Sequence, residues 1–66
     1  MFTVEWLKDG SPVHTEAMLG ANGADVLKMA LSRTKDAQEA SGVEPDSLRI
    51  TDHMTNQTTI EKITHA

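Results

Sequence analysis

The feature that most constrains the fold is a run of helix-forming residues between two breaks that contain glycine. From Asp25 to Ser41 the chain has neither glycine nor proline. Asn22 is a favourable N-cap, and Gly42 stands where glycine commonly ends a helix. Small and apolar residues recur through the run at helical spacing. They are Val26, Leu27, Ala30, Leu31, Thr34 and Ala37. The sequence therefore predicts one amphipathic helix that has to bury this stripe against another element.

Two alternating segments precede the helix. Residues 2–7 alternate with a period of two, as a half-buried strand does, and place Phe2, Val4 and Trp6 on one face. Residues 8–12 contain Asp-Gly and proline, which indicates a tight turn. Residues 13–19 alternate more weakly. In that second strand we expect inward side chains at Val13, Thr15 and Ala17, and outward side chains at His14, Glu16 and Met18.

Two more alternating segments follow the helix. The first, residues 47–53, predicts inward side chains at Leu48 and Ile50. The second, residues 58–63, alternates as far as Ile60, which we expect to face inward. The predicted order is β-β-α-β-β, an α+β fold. One helix packs on one face of a small, four-stranded, mainly antiparallel sheet.

The length allows one small domain, residues 1–66, and no second one. A core this small is marginal, so pairing with another copy in a homodimer is a further expectation. The chain contains no cysteine, which excludes disulfides, thiolate nucleophiles and cysteine-ligated zinc. No apolar run approaches the roughly 20 residues that a membrane span needs. Residues 1–15 lack the pattern of a secretory signal, so we expect an intracellular, cytoplasmic protein without membrane contact.

The histidines are the first candidates for chemistry. His14 and Glu16 share a strand face, and His53 is predicted on the outer face of the third strand. If those strands were neighbours, the three side chains could form a metal site with two histidines and one carboxylate. Scattered surface histidines are the favoured interpretation, because no spacing ties two ligands together. The remaining histidine, His65, lies in the terminal tail.

No set of residues indicates catalysis. The serines fall in turns, on the helix or at its end, away from any nucleophile motif. A chain this short has little material with which to enclose a cleft. We therefore expect no enzyme activity, no cofactor and no metal. A small metal-dependent enzyme is the alternative from that class.

Nucleic-acid binding is an alternative that rests on Lys28, Arg33 and Lys35, a basic group on the exposed side of the helix. Such proteins usually carry an excess of basic residues. Here six basic residues face ten acidic ones. Direct contact with nucleic acid is therefore not the favoured interpretation.

The net charge is confined to one segment of the chain. Residues 36–52 contain one basic residue, Arg49, and five acidic residues, which are Asp36, Glu39, Glu44, Asp46 and Asp52. Five negative charges less one positive charge give −4, equal to the formal net charge of the whole chain. Such a segment can simply be a solvated face. It also suits association with a protein that has a basic surface, since one-sided fields steer encounter.

The uncovered face of the sheet is the second candidate surface. The predicted strands place on it Thr3, Glu5, Leu7, His14, Glu16, Met18, Arg49, Thr51, His53, Thr59 and Glu61. Leu7 and Met18 would be apolar residues on a wet face, and such residues rimmed by polar ones can mark an interface. We therefore add Glu16 and Met18 to the partner-binding candidates. An edge strand could also pair with a strand of a partner.

In size, topology and charge the chain is similar to many short proteins encoded by phages and mobile elements. Some of those, including anti-CRISPR inhibitors, act by occluding a basic nucleic-acid-binding surface. The resemblance transfers no individual residues. It implies a small non-enzymatic binding or inhibitor protein that acts by stoichiometric contact. The alternatives are a nucleic-acid-binding or regulatory module that uses the basic helix face, and a structural subunit of a larger assembly.

Overall fold

The computed structural model describes residues 1–64, so His65 lies outside the described part. Its elements in chain order are β1 (Phe2–Lys8), β2 (Ser11–Met18), α1 (Gly23–Ser32), α2 (Thr34–Ser41), β3 (Ser47–Asp52) and β4 (Gln57–Lys62). The strands form one sheet in the order β2-β1-β3-β4, and every neighbouring pair is antiparallel. The predicted α+β class is confirmed.

The prediction of a single helix is wrong, because the helical region divides at Arg33 into α1 and α2. Two hydroxyl groups beside this residue bond to carbonyls of the preceding turn. Ser32 Oγ donates to Met29 O at 2.7 Å, and Thr34 Oγ1 donates to Ala30 O at 3.0 Å. Such back-bonding competes with the regular ladder and bends helices. The element order is therefore ββααββ.

The predicted ends of the helical region agree with the structure. Asn22 caps α1, and its Oδ1 accepts a hydrogen bond from the Asp25 N–H at 3.0 Å. Gly42 ends α2 in the left-handed conformation, with φ of 73°. At the β1–β2 turn, Asp9 and Gly10 also have positive φ, as two-residue hairpin turns require.

The core lies between one sheet face and the helices, which pack over β1, β2 and β3. Its buried members are Phe2, Val4, Trp6, Met18, Val26, Ala30, Ala37, Leu48 and Ile50. All were predicted to face inward except Met18. Leu31, which belongs to the predicted stripe, is 45 % exposed, so that assignment is wrong.

Val13 packs against the core as predicted, but from His14 to Met18 the predicted faces of β2 are reversed. Trp6 pairs with His14, Val4 with Glu16 and Phe2 with Met18, so these three β2 residues share the helix-covered face. Met18 is only 8 % exposed and belongs to the core, while Thr15 and Ala17 are exposed. The physical reason is an irregularity in the pairing after Trp6, where Leu7 pairs with Pro12 rather than Val13. A one-residue shift exchanges the two faces of a strand.

The predicted faces of β4 are also reversed. Ile60 pairs with Arg49, and Thr58 pairs with Thr51, on the face turned away from the helices. We call that face the open face. Ile60 is 61 % exposed rather than inward, and Thr59 pairs with Ile50 on the helix side. The four-residue loop 53–56 sets this register, and the helices pack over the other three strands.

Leu7 was expected to be an exposed apolar residue and is 2 % exposed. It lies between Pro12 of β2 and Ser47 of β3 at the end of the sheet. Neither helix in the described part of the chain is long and apolar enough to span a membrane.

Candidate binding surfaces

Four of the five acidic residues of segment 36–52 lie on α2 or in the connection that follows it, and three of these four are exposed. Asp36 and Glu39 are exposed on α2, and Glu44 is exposed in the connection to β3. Beside them is a shallow, open hollow lined by Lys35, Gln38, Glu39 and Gly42. We call Asp36, Glu39 and Glu44 the acidic surface. Lys35 at its border offsets part of its charge.

Asp46 has a structural task at the end of the sheet. Its Oδ2 accepts the Asp9 N–H at 3.0 Å, and its Oδ1 accepts the Ser47 hydroxyl at 3.0 Å. Both bonds lower the pKa of the Asp46 carboxyl below its ordinary range, and the bond from the Asp9 N–H has the larger effect. The carboxylate therefore ties the β1–β2 turn to the start of β3.

Asp52 lies at the opposite end of β3 from Asp46. It is the last residue of β3, whereas Asp46 immediately precedes that strand. At about 3.3 Å per residue, the two are separated by roughly 20 Å. Asp52 Oδ1 accepts the Met54 N–H at 2.9 Å and so helps to shape the β3–β4 loop. The acidic segment of the sequence is thus not one continuous surface in the fold.

Arg49 is the only basic residue of the acidic segment, and it is held on the open face by Glu5. Its Nε and Nη2 donate to the two carboxylate oxygens at 2.7 and 2.8 Å. The Arg49 hydrogen bond is the main reason that the pKa of the Glu5 carboxyl is lowered. Arg49 is directly opposite Glu5 in the β1–β3 pairing. The Arg49 charge is therefore neutralised by Glu5, which lies outside residues 36–52.

Arg33 forms the equivalent pair with Glu16 on the helix side. Arg33 Nε and Nη2 donate to Glu16 at 2.6 and 3.0 Å, and His14 Nε2 donates to Glu16 Oε2 at 2.9 Å. The Arg33 hydrogen bond is the larger cause of the lowered pKa of the Glu16 carboxyl, and His14 adds to it. Asp36 is a more distant neighbour, at 3.7 Å from Arg33 Nη1.

These two pairs decide where the net charge resides in the folded protein. Both arginines are paired in bidentate fashion with glutamates outside residues 36–52. On the acidic surface, Asp36 contacts Arg33 at the longer distance of 3.7 Å, and the side chains of Asp36, Glu39 and Glu44 are exposed. Pairing with Glu16 also removes Arg33 from the predicted basic group and leaves Lys28 and Lys35 exposed.

Of the three predicted metal ligands, His14 and Glu16 are in contact, but His53 is not brought to them. His14 lies on the helix side, with its ring 5.4 Å from that of Trp6. His53 is two strands away, and its Nε2 is hydrogen-bonded to Thr3 Oγ1 at 2.6 Å. Within residues 1–64, no three histidine, aspartate or glutamate side chains form a group that could hold a metal ion.

Sequence reasoning missed an apolar patch at the end of the sheet near Asp52. Three of the large exposed apolar side chains, Met1, Leu19 and Met54, lie at this end. Met1 O accepts the His53 N–H, and the β1–β2 register continues from Phe2–Met18 towards Met1 and Leu19. Strand pairing creates the patch from distant parts of the sequence, so no local signal reveals it. Its apolar character is typical of protein contact sites.

The chain matches no protein-family model, and neither a curated protein nor a solved structure resembles it at a significant level.

Proposed function

We propose that the protein is a small, non-enzymatic binding or inhibitor protein that acts in the cytoplasm by stoichiometric contact with a protein partner. The observation that carries the proposal is the charge distribution of the folded chain. Arg33 and Arg49 neutralise Glu16 and Glu5, while Asp36, Glu39 and Glu44 remain exposed on α2 and the connection after it. Negative charge that is exposed at the surface is available to a partner.

The chemistry of this surface favours a partner with a basic surface, of the kind that binds nucleic acid. Exposed carboxylates accelerate encounter with such a surface and suppress association with acidic ones. Occupation of the basic surface would exclude nucleic acid by competition. This is the mode of action implied by the similarity in size and charge to small phage-encoded inhibitors, including anti-CRISPR proteins.

Direct binding of nucleic acid is the less favoured function. It would rest on the basic group of the helical region, and Arg33 in that group already donates two hydrogen bonds to Glu16. Lys28 and Lys35 are exposed, and Lys35 lies beside a surface of net negative charge, which repels phosphates.

Affinity capture from lysate with the tagged full chain tests the proposed function. Retained proteins are eluted with a salt gradient and identified, and each is assayed for nucleic-acid binding with and without the added chain. We expect to retain a protein with a basic surface. Its complex with nucleic acid should dissociate as the added chain approaches a concentration equal to that of the retained protein. Retention of nucleic acid itself, without such a protein, would favour the alternative.

A further inference from the structure

The two edges of the sheet differ in how they are protected against pairing with another strand. Edge strand β2 contains Pro12, which has no N–H, and an irregular pairing after Trp6. Both features discourage strand addition. The other edge, β4, is paired with β3 in unbroken register and contains neither proline nor glycine. Every residue of β4 is exposed.

The backbone N–H and C=O groups of every second residue of β4 point away from β3 and into solvent. The Ile63 N–H donates to Asp46 O on the β3 side, so the odd-numbered residues that precede it also direct their ladder groups towards β3. Thr58, Ile60 and Lys62 therefore direct their N–H and C=O groups outward. Their side chains lie on the open face, as their pairing with Thr51, Arg49 and Ser47 shows.

We propose that a second copy of this chain pairs with β4, so that two antiparallel β4 strands join two sheets into one of eight strands. A two-fold axis at Ile60 places Ile60 opposite Ile60, Thr58 opposite Lys62 and Thr59 opposite Glu61. The outward backbone groups then pair with one another along the strand. In this register no like charges face each other directly, and such charges would destabilise the pairing of the strands.

This symmetric register is what favours a second copy over an unrelated strand. It covers Ile60, the exposed apolar side chain of β4, with its own equivalent across the axis. A shift of the axis to Glu61 would instead oppose two carboxylates. Because β4 is the unprotected edge of the sheet within residues 1–64 and each copy uses it, the assembly closes as a dimer rather than growing into a fibre.

The contact is small, since it joins two strands of six residues each. Stable interfaces bury roughly 1,200 Å² or more in total, so this dimer is reversible and depends on concentration. It is also separate from Asp36 and Glu39 of the acidic surface, because α2 packs against β2 at the opposite edge of the sheet. The dimer and the proposed function therefore succeed or fail independently.

Sedimentation velocity over increasing concentration is the first test. We expect the mass of the wild-type chain to rise from 7.2 kDa towards twice that value. Ile60→Glu should remain monomeric, because the dimer would oppose two carboxylates, while in the monomer the new carboxylate faces Arg49. Ile60→Lys should also remain monomeric, and an equimolar mixture of the two variants should regain the dimer. The matched control is Thr15→Lys, on the open face of the other edge strand, which should dimerise as the wild type does.

Amide hydrogen exchange of the wild-type chain tests the same pairing without any substitution. The amides of Thr58, Ile60 and Lys62 should exchange about tenfold more slowly when nine-tenths of the chains are dimeric. The amides of Thr15 and Ala17 should be unaffected. A wild-type chain that stays monomeric, an Ile60→Glu variant that associates as the wild type does, or equal exchange at the three β4 amides at all concentrations would overturn the proposal.

Discussion

The indole N–H of Trp6 donates a hydrogen bond to Thr34 Oγ1 across 3.2 Å and so joins the centre of the sheet to the first residue of α2. Trp6 is completely buried. The same hydroxyl donates to Ala30 O, so one threonine both takes part in the helix break and satisfies the buried indole. The position of α2, and with it the acidic surface, depends on this link.

Replacement of Thr34 by valine should destabilise the fold. Valine keeps the shape of threonine but leaves the Trp6 N–H buried without an acceptor, which costs about 1–3 kcal/mol in the free energy of unfolding. Thr34→Ser is the control, because it keeps the hydroxyl. Urea unfolding followed by the fluorescence of this single tryptophan measures both variants. Equal stability of Thr34→Val and the wild type would contradict this role for the hydrogen bond.

Two glycine substitutions should have opposite effects. Gly42 has φ of 73°, so Gly42→Ala should lower stability by about 1–2 kcal/mol, the cost of a left-handed conformation for a residue with a Cβ. Gly23 begins α1, and a Cβ there would meet no atom within 4 Å. Gly23→Ala should therefore be neutral or stabilise the chain by up to about 1 kcal/mol. Thermal unfolding of the two variants checks the contrast, and an equal loss in both would refute it.

Stability should fall in acid because the pKa values of the Glu5 and Glu16 carboxyls are lowered in the folded state. The unfolded chain then binds protons more readily than the folded one. The stabilisation is complete above the ordinary glutamate pKa of about 4.3 and is lost as the pH falls through it towards the folded values.

Chemical denaturation at a series of pH values between 7 and 3 measures this dependence. The double variant Glu5→Gln, Glu16→Gln should show a shallower loss of stability than the wild type over the same range. An unchanged slope in the double variant would show that other carboxyl groups, such as Asp46, dominate the acid response.

The parts of the fold that follow from local sequence were predicted correctly. The alternation around Val4 identified the inner face of β1, and Asn22 and Gly42 marked the two ends of the helical region. In each case the signal lies within a few residues and needs no knowledge of the partners. The concentration of acidic residues in segment 36–52 could also be read from the sequence. The separation of these residues into different parts of the folded surface could not.

The faces of β2 and β4 could not be read locally, because distant contacts determine them. Val13 packs against the core as its alternation suggests, but the irregular pairing beside it exchanges the faces of the following residues and moves Met18 into the core. Ile60 suggests a buried strand, but the helices lie over other strands. The separation of Asp46 from Asp52 likewise depends on the fold, because the extended strand β3 places these two residues of the acidic segment at opposite ends of the sheet.

The function depends on one claim, that the carboxylates of the acidic surface contact the partner. The variant that tests this claim is D36N/E39Q/E44Q, which removes three negative charges with little change in side-chain shape. The matched control is D25N/D52N/E61Q, which removes three negative charges elsewhere and includes the predicted residue that lies at the other end of β3.

The most direct measurement is the Kd of the captured partner for the wild type and both variants, determined by calorimetry at several salt concentrations. We expect the acidic-surface variant to bind at least about tenfold more weakly and with a smaller dependence on salt. The control variant should bind nearly as the wild type does. If the acidic-surface variant retains the wild-type Kd and the wild-type salt dependence, the claim is contradicted.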